Sequence, residues 1–219
     1  MQLAKNAGGP FTPERLFVIR NGLDLEMLPT VPIPSREGVS LLGIGSLVQR
    51  KRWDRLLEAA SWLKRRGVDF SLKVVGDGPL RPALLEQTRN LGLTTCVELV
   101  GPRDDVPALL ANSMVLVHTS DAEGCPNVVM EAMASGRPVV ATDAGDVPYL
   151  VEDGKTGFVV RRGDQKTLVQ CLSTLIADPS LRQHMGEAGR AKALREFGLD
   201  RLVRETLSAY ETVGGRMLS

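Results

Sequence analysis

The stretch from Val115 to Ala141, VLVHTSDAEGCPNVVMEAMASGRPVVA, constrains the fold more than any other part of the chain. A short β-branched run at Met114 to Val117 is followed by a polar loop, a proline, an apolar helical segment, a Ser-Gly stop and a second β-branched run at Pro138 to Ala141. Two short strands separated by a helix pair most economically in parallel. Pro126 suits the first helical position, because its fixed φ is already helical and its missing N–H would have no partner there. The amides of Asn127 and Val128 then become free donors at the positive end of a helix, a ready site for phosphate or diphosphate. Glu123 lies in the loop just before this cradle, with Gly124 and Cys125 between it and the proline. Glu131 lies one turn after Asn127 on the same face, with a side chain leaning back towards the helix start.

A carboxylate beside an anion site must face another part of the ligand, and hydroxyls are its natural partners. A sugar joined to a nucleoside through a diphosphate offers hydroxyls at both ends. The competing reading makes Glu123 a surface loop charge and Glu131 a solvated helix charge. Val128, Val129, Met130, Ala132, Met133 and Ala134 surround Glu131, however, and so apolar a helix is covered on most sides, where an unpaired charge is costly. Function or an internal partner is the better account of Glu131; Glu123 alone is balanced between the two.

EGCPNVVMEAMASGRPVVA resembles the E-x7-E signature of glycosyltransferase family 4 (group 1), retaining enzymes of the GT-B fold, with Glu123 and Glu131 at the required spacing. The resemblance implies that Glu123 contacts the donor sugar near the reacting carbon, that Glu131 holds the ribose hydroxyls, and that the intervening amides bind the diphosphate. VIRNGLD at residues 18–24 is similar to the VIPNGVD that opens the C-terminal, donor-binding half of such enzymes; an ordinary turn at Asn21-Gly22 is the alternative.

The chain as a whole fits one large domain or a domain with appendages: 219 residues, 43% hydrophobic, enough for a full core. Lys+Arg 27 against Asp+Glu 26 gives a net charge of +1, without bulk attraction for nucleic acid or acidic membranes. Cys96, Cys125 and Cys171 are odd in number and lack metal-ligand spacing, which suggests reduced thiols, a cytoplasmic setting and no metal or other cofactor. No apolar run approaches the roughly 18 residues of a membrane span. Residues 1–38 are expected to be a leader or linker, interrupted by Gly8, Gly9, Pro10, Pro13, Pro29, Pro32 and Pro34, with one short strand at Leu16 to Ile19. From Ser40, strands and helices alternate: strands at Ser40 to Gly45, Phe70 to Val75, Val97 to Val100 and Phe158 to Val160, helices at Trp53 to Arg66, Leu80 to Leu91 and Val106 to Asn112. About six parallel strands with helices on both faces define a doubly wound, Rossmann-like α/β sheet, which binds ligands at the C-terminal ends of its strands.

The first strand exits into GIGSLVQRKRWDRLLEA, where Val48 breaks the G-x-G-x-x-G fingerprint of dinucleotide folds. Arg50, Lys51 and Arg52 read either as a solvated charge run or as anion ligands. The segment resembles the family's GRLVxxKG, whose Arg and Lys neutralise the donor diphosphate. Lys51 matches the Lys, and Gly45 and Ser46 fall in the donor loop; Ser46 stands in place of the Arg and Arg52 in place of the Gly, leaving Arg50 or Arg52 to substitute. VVGDGPLRP places Gly76 to Gly78 either near the crevice or in a plain βα turn. VELVGPRDD resembles the segment near the nucleobase and makes Arg103 its neighbour, while His118 reads as a hydrogen-bonded structural histidine. TDAGDVPYLVEDGKTGFVV resembles TxxGGxPExVxDGxTGFLV, with Asp146 for a Gly and Tyr149 for the Glu; Thr142, Asp143 and Gly145 line either the crevice or an ordinary loop.

Helices follow at Leu168 to Ala177 and Leu181 to Arg195, then a last amphipathic helix with Leu202, Leu207 and Tyr210 apolar, of the kind that in the family crosses back to the N-terminal domain. The expectation is a leader (1–38), a nucleotide-sugar-binding domain (39–195) and a C-terminal helix (196–219). The implied function is the donor-binding half of a retaining transferase. It would use Lys51 and Glu123 as catalytic groups and Gly45, Ser46, Arg50, Arg103, Gly124, Cys125, Pro126, Asn127, Val128 and Glu131 as binding groups, with UDP or GDP carrying the sugar to a glycan, lipid or small-molecule acceptor. Nothing upstream supplies an acceptor domain, so the chain reads as half an enzyme needing a second half, in the same frame or as a partner chain. The alternatives are a non-catalytic sugar-nucleotide-binding module and a degenerate transferase kept as an interaction surface.

Overall fold

A computed structural model describes residues 16–28, 31–34 and 38–217. The order of elements is β1 (Val39–Ile44), α1 (Trp53–Arg65), β2 (Phe70–Val75), α2 (Arg81–Asn90), β3 (Val97–Gly101), α3 (Val106–Ala111), β4 (Val115–His118), α4 (Asn127–Ala134), β5 (Val139–Thr142), α5 (Val147–Leu150), β6 (Gly157–Val160), α6 (Gln165–Ala177), α7 (Pro179–Glu196) and α8 (Leu199–Met217). The six strands form one parallel sheet in the order β3-β2-β1-β4-β5-β6. The chain leaves β1 towards β2 and later returns to β1's other side with β4, so the direction of strand addition reverses between β1 and β4. This is the doubly wound, Rossmann-like class expected from the alternating pattern, and the loops after β1 and β4 flank its switch point.

β1, β4 and β5 are buried nearly throughout, as strands covered on both faces must be. One core layer lies under α1, α2 and α6 and contains Leu56, Leu57, Leu63, Leu84, Leu168 and Leu172. The other lies under α4 and α5 and includes Val129, Met130, Met133, Val147 and Leu150. α7 packs against the far side of α4, so α4 is enclosed between the sheet and another helix. That explains why residues 128–134 are apolar nearly all round.

The expected strand at Leu16 to Ile19 does not form: these residues belong to no strand or helix, and Leu16, Phe17 and Val18 are exposed. A strand needs a ladder partner, and the chain here instead meets α8, where Leu23 makes a single bridge to Gly198. The expected turn at Asn21-Gly22 is also absent. Gly22 is needed for contact: a Cβ there would lie 3.0 Å from Leu202 Cβ and 3.1 Å from the Gly198 carbonyl oxygen. Gly8, Gly9, Pro10, Pro13 and Pro29 lie outside the described residues. α8 leaves Leu199, Val203, Leu207 and Tyr210 exposed along one stripe. Among the described residues no helix is long and apolar enough to cross a membrane.

Candidate functional site

The helix start comes first, because it creates the donors. Pro126 is the N-cap of α4, one residue before the position expected for it, with φ −73° and ψ 107°. Its backbone is extended, yet its carbonyl already accepts the first helical bond from the Val129 amide at 3.1 Å, which is the N-cap role. The consequence for the donors is unchanged: among the described residues neither the Asn127 nor the Val128 amide has an acceptor. Asn127 is exposed, Val128 is half-buried, and Gly124 just upstream is exposed.

Lys51 is carried here by the β1–α1 crossover. Its Nζ lies 2.6 Å from Glu123 Oε1, with the two side chains 12% and 10% exposed. The lysine expected to balance a diphosphate is therefore the ion-pair partner of the carboxylate expected to face the sugar. The Thr119 hydroxyl ties the two loops together by donating to the Lys51 and Arg52 carbonyls at 3.0 and 3.2 Å. His118, at the end of β4 and 1% exposed, places Nε2 3.1 Å from the same Glu123 oxygen. The contact is close enough for charge but misaligned for a hydrogen bond, so Nε2 is a buried polar atom without a bonded partner. Ser120 Oγ beside it is also buried without a well-aligned partner among the described residues, though near enough to Glu123 to favour its ionised form. Burial would push the Glu123 carboxyl up; the His118, Lys51 and Ser120 contacts outweigh it and hold the carboxyl down at about 2.

Arg52 and Arg50 part company. Arg52, in left-handed backbone at φ 51°, gives its guanidinium to Asp54 at 2.8 Å and Asp121 at 2.9 Å, which raises its affinity for its proton. Arg55 holds the other Asp121 oxygen, and Arg162 donates to the Asp121 carbonyl at 3.0 Å while pairing with Asp143 at 3.0 Å. Arg52 is thus a fastener of the Glu123 loop, and its expected role as a substitute phosphate ligand is not supported. Arg50 is exposed, forms no ion pair among the described residues, and anchors the loop only through its carbonyl, which accepts the Asp121 amide at 2.7 Å. Ser46 is exposed and Gly45 half-buried on the same crossover. The Leu47 amide donates to the Asp77 carbonyl at 2.8 Å, which sets the Gly76 to Gly78 turn against this loop.

Glu131 is half-buried and has no hydrogen-bond or ion-pair partner among the described residues; burial alone raises its carboxyl. The internal-partner reading therefore falls away. Asn21 contributes what sequence reasoning did not foresee. Its side-chain amide donates to Asn127 Oδ1 at 2.8 Å and to the Cys125 carbonyl at 3.3 Å, so the NG of VIRNGLD reaches the head of α4. The Cys125 thiol is pushed up by burial and sits 3.9 Å from Met130 Sδ, a packing environment. Gly145 supports the loop from below: at φ 56°, a Cβ there would lie 2.4 Å from the carbonyl oxygens of Glu123 and Gly124. Arg103 is exposed and doubly bonded to Asp105 at 2.8 and 2.6 Å, with no contact to the other expected site residues among the described ones.

Asp146 and Tyr149 face the leader segment. Arg20 pairs with Asp146 at 3.0 Å and stacks its guanidinium 3.7 Å from the Tyr149 ring centre, and the Tyr149 carbonyl accepts from Lys192 at 2.7 Å. Among the described residues no group of three or more His, Cys, Asp or Glu side chains is arranged to hold a metal ion.

Comparison with known proteins gives a consistent picture. The family model described as "Glycosyl transferases group 1" matches residues 38–178. Over 203 residues the chain is 34% identical to the N-acetyl-alpha-D-glucosaminyl L-malate synthase of Bacillus anthracis, covering 93% of this chain and 51% of that protein. It is 37% identical over 160 residues to the GDP-mannose-dependent alpha-(1-6)-phosphatidylinositol monomannoside mannosyltransferase of Mycolicibacterium smegmatis, covering 69% of this chain and 42% of that one. Among solved structures it resembles Anabaena HepE in complex with UDP, with a TM-score of 0.79 and 28% identity over 88% of this chain and 57% of that chain. The chain spans about half the length of the curated relatives it matches.

Proposed function

The chain belongs to the group 1 glycosyl transferases, and from that premise we propose that it is the donor-binding half of a retaining, family 4 type transferase, holding a nucleotide-diphosphate sugar at the switch point between β1 and β4. The observation that carries the reading is the Lys51–Glu123 pair at 2.6 Å, four residues before a helix start with two unbonded amides. The cation and carboxylate, and the helix start four residues on, belong to the loops that follow β1 and β4 at the C-terminal edge of the sheet, where such folds bind nucleotides. HepE, a solved relative with the same fold, was determined with UDP, which supports a uridine or related nucleotide here.

In this reading the diphosphate takes the Asn127 and Val128 amides and draws Lys51 and Arg50 towards it. Glu123, released from Lys51, turns its carboxylate to the hydroxyls of the donor sugar. Preorganised donors at the diphosphate stabilise the leaving group as the glycosidic bond breaks. Glu131, partly buried and unpaired, accepts from the ribose hydroxyls, whose bonds offset its desolvation. Acceptor binding belongs to a second half, and the exposed stripe of Leu199, Val203, Leu207 and Tyr210 on α8 is the face we assign to that half.

Calorimetric titration of the chain with UDP-glucose and GDP-mannose tests the site. Charge-assisted contacts are worth on the order of 1.5–3 kcal/mol, so Lys51→Ala should weaken binding roughly 10- to 100-fold. Equal affinity of wild type and Lys51→Ala for both nucleotide sugars would remove Lys51 from the site.

A further inference from the structure

The buried imidazole beside Glu123 has no place in the mechanism above. Glu123 Oε1 receives Lys51 Nζ at 2.6 Å and His118 Nε2 at 3.1 Å, and only the lysine is aligned for a bond. Two nitrogens thus converge on one carboxylate oxygen, and the buried ring nitrogen has no well-aligned partner among the described residues. A buried polar atom without an aligned partner is uncommon and calls for a physical explanation, such as a role in the site's chemistry.

We propose that His118 is the positioning residue that takes over Glu123 when Lys51 leaves it for an anionic ligand, and that it does so as the imidazolium. This inference rests on the nucleotide-sugar reading above and adds a proton to it. With Lys51 in place, one cation already balances the carboxylate. Once a diphosphate engages Lys51, Glu123 keeps its negative charge, rotates onto Nε2 and is held by a charge-assisted bond. The ammonium contact breaks, the imidazolium contact forms, and one proton enters from solvent. The charged groups bearing on His118 are Glu123 from its own loop and Lys51 from the crossover after β1. Glu131 belongs to α4, and Asp143, after β5, is neutralised by Arg162 at 3.0 Å. Ser120 Oγ, buried in the same loop, also bears on the Glu123 carboxylate and can follow its rotation.

The chain has only two histidines, and His184 is exposed on α7, so the proton can be assigned. The experiment is calorimetric titration near pH 7 with UDP-glucose and with GDP-mannose, each in phosphate and in Tris, whose different ionisation enthalpies report protons taken up per ligand bound. Nucleotide sugars are the right probes because their diphosphate diester has no proton to exchange near neutral pH. The wild-type chain should take up on the order of half a proton per ligand, as expected for a histidine that charges on binding. His118→Gln should bind with no uptake, and His184→Gln should match wild type. Lys51→Ala keeps His118 but leaves it facing an unpaired Glu123 beforehand, so its residual binding should show little or no uptake where the wild type shows it; a merely structural histidine would give no uptake in either protein. Wild-type binding without uptake, or equal uptake in His118→Gln, overturns the proposal while leaving the donor site standing. Failure of the wild type to bind either nucleotide sugar overturns both.

Discussion

Replacing Glu123 by glutamine tests the electrostatics of the site without any ligand. The native carboxyl is held at about 2 against an ordinary 4.5, so its ionised form stabilises the fold. At about 1.4 kcal/mol per pH unit of displacement, that difference is worth about 3 kcal/mol at neutral pH. The sign follows from the direction: the folded chain binds this proton more weakly than the unfolded chain, so the contribution is complete above about pH 4.5 and lost as pH falls towards 2. Glutamine keeps the shape and has no charge to lose. Urea unfolding of wild type and Glu123→Gln, compared at each pH, cancels the other carboxylates. The gap between them should be about 3 kcal/mol at pH 6 and shrink to about 1.5 kcal/mol at pH 3. In thermal melts near pH 6 it corresponds to roughly 5–10 °C for a chain of this size. A gap that stays constant from pH 6 to pH 3 would refute the reasoning, because glutamine would then be costing only shape or packing.

Glu131→Gln should behave in the opposite way: burial raises the native carboxyl and no partner repays it, so the variant should melt at or above the wild-type temperature while nucleotide-sugar affinity falls in calorimetry. A lower melting temperature with affinity intact would make Glu131 structural. Gly145→Ala forces a Cβ into the Glu123 and Gly124 carbonyls at positive φ, and should cost at least about 1–3 kcal/mol in urea unfolding and weaken nucleotide binding as the loop is displaced. Arg137→Met removes a fully buried guanidinium that donates to the Leu110 and Ala111 carbonyls at 2.9 and 3.2 Å and to the Val31 carbonyl at 3.0 Å; unfolding free energy should fall by about 3 kcal/mol or more, because the acceptors at the end of α3 are left bare.

The sheet was legible because its signals are local. Each β-branched run bounded by glycine or proline became a strand within a residue or two, and the stripe of Leu56, Leu57, Ala60 and Leu63 placed α1 on its core. Leu16 to Ile19 carries the same local signal and failed, since a strand also needs an open neighbouring edge. The site was half legible. The loop, the helix start and both glutamates lie within one short stretch, so spacing could place them together. The partners of that stretch could not be found that way, because Lys51 meets Glu123 across 72 residues and Asn21 meets Asn127 across 106. Arg137 shows the same limit: SGRPVV reads as an ordinary turn, and nothing near it in sequence says that its charge, which burial lowers to about 10, closes the end of a helix formed some 25 residues earlier.

Asp146 and Tyr149, where the sequence departs from the family pattern, bear on whether this is a decayed transferase. Decay removes a contact and leaves its former partners exposed to substitution. Here the two departures are matched to each other and to a third segment: Arg20 pairs with Asp146 at 3.0 Å and stacks on Tyr149 at 3.7 Å, while Arg201 donates to the Arg20 carbonyl at 2.9 Å. The neighbouring residue, Asn21, reaches the head of α4. A glycine and a glutamate at positions 146 and 149 would leave Arg20 without the Asp146 carboxylate or an aromatic face. Three segments far apart in sequence therefore meet in one cluster, and its physical effect is to fasten the approach to β1 against the loop that carries Glu123.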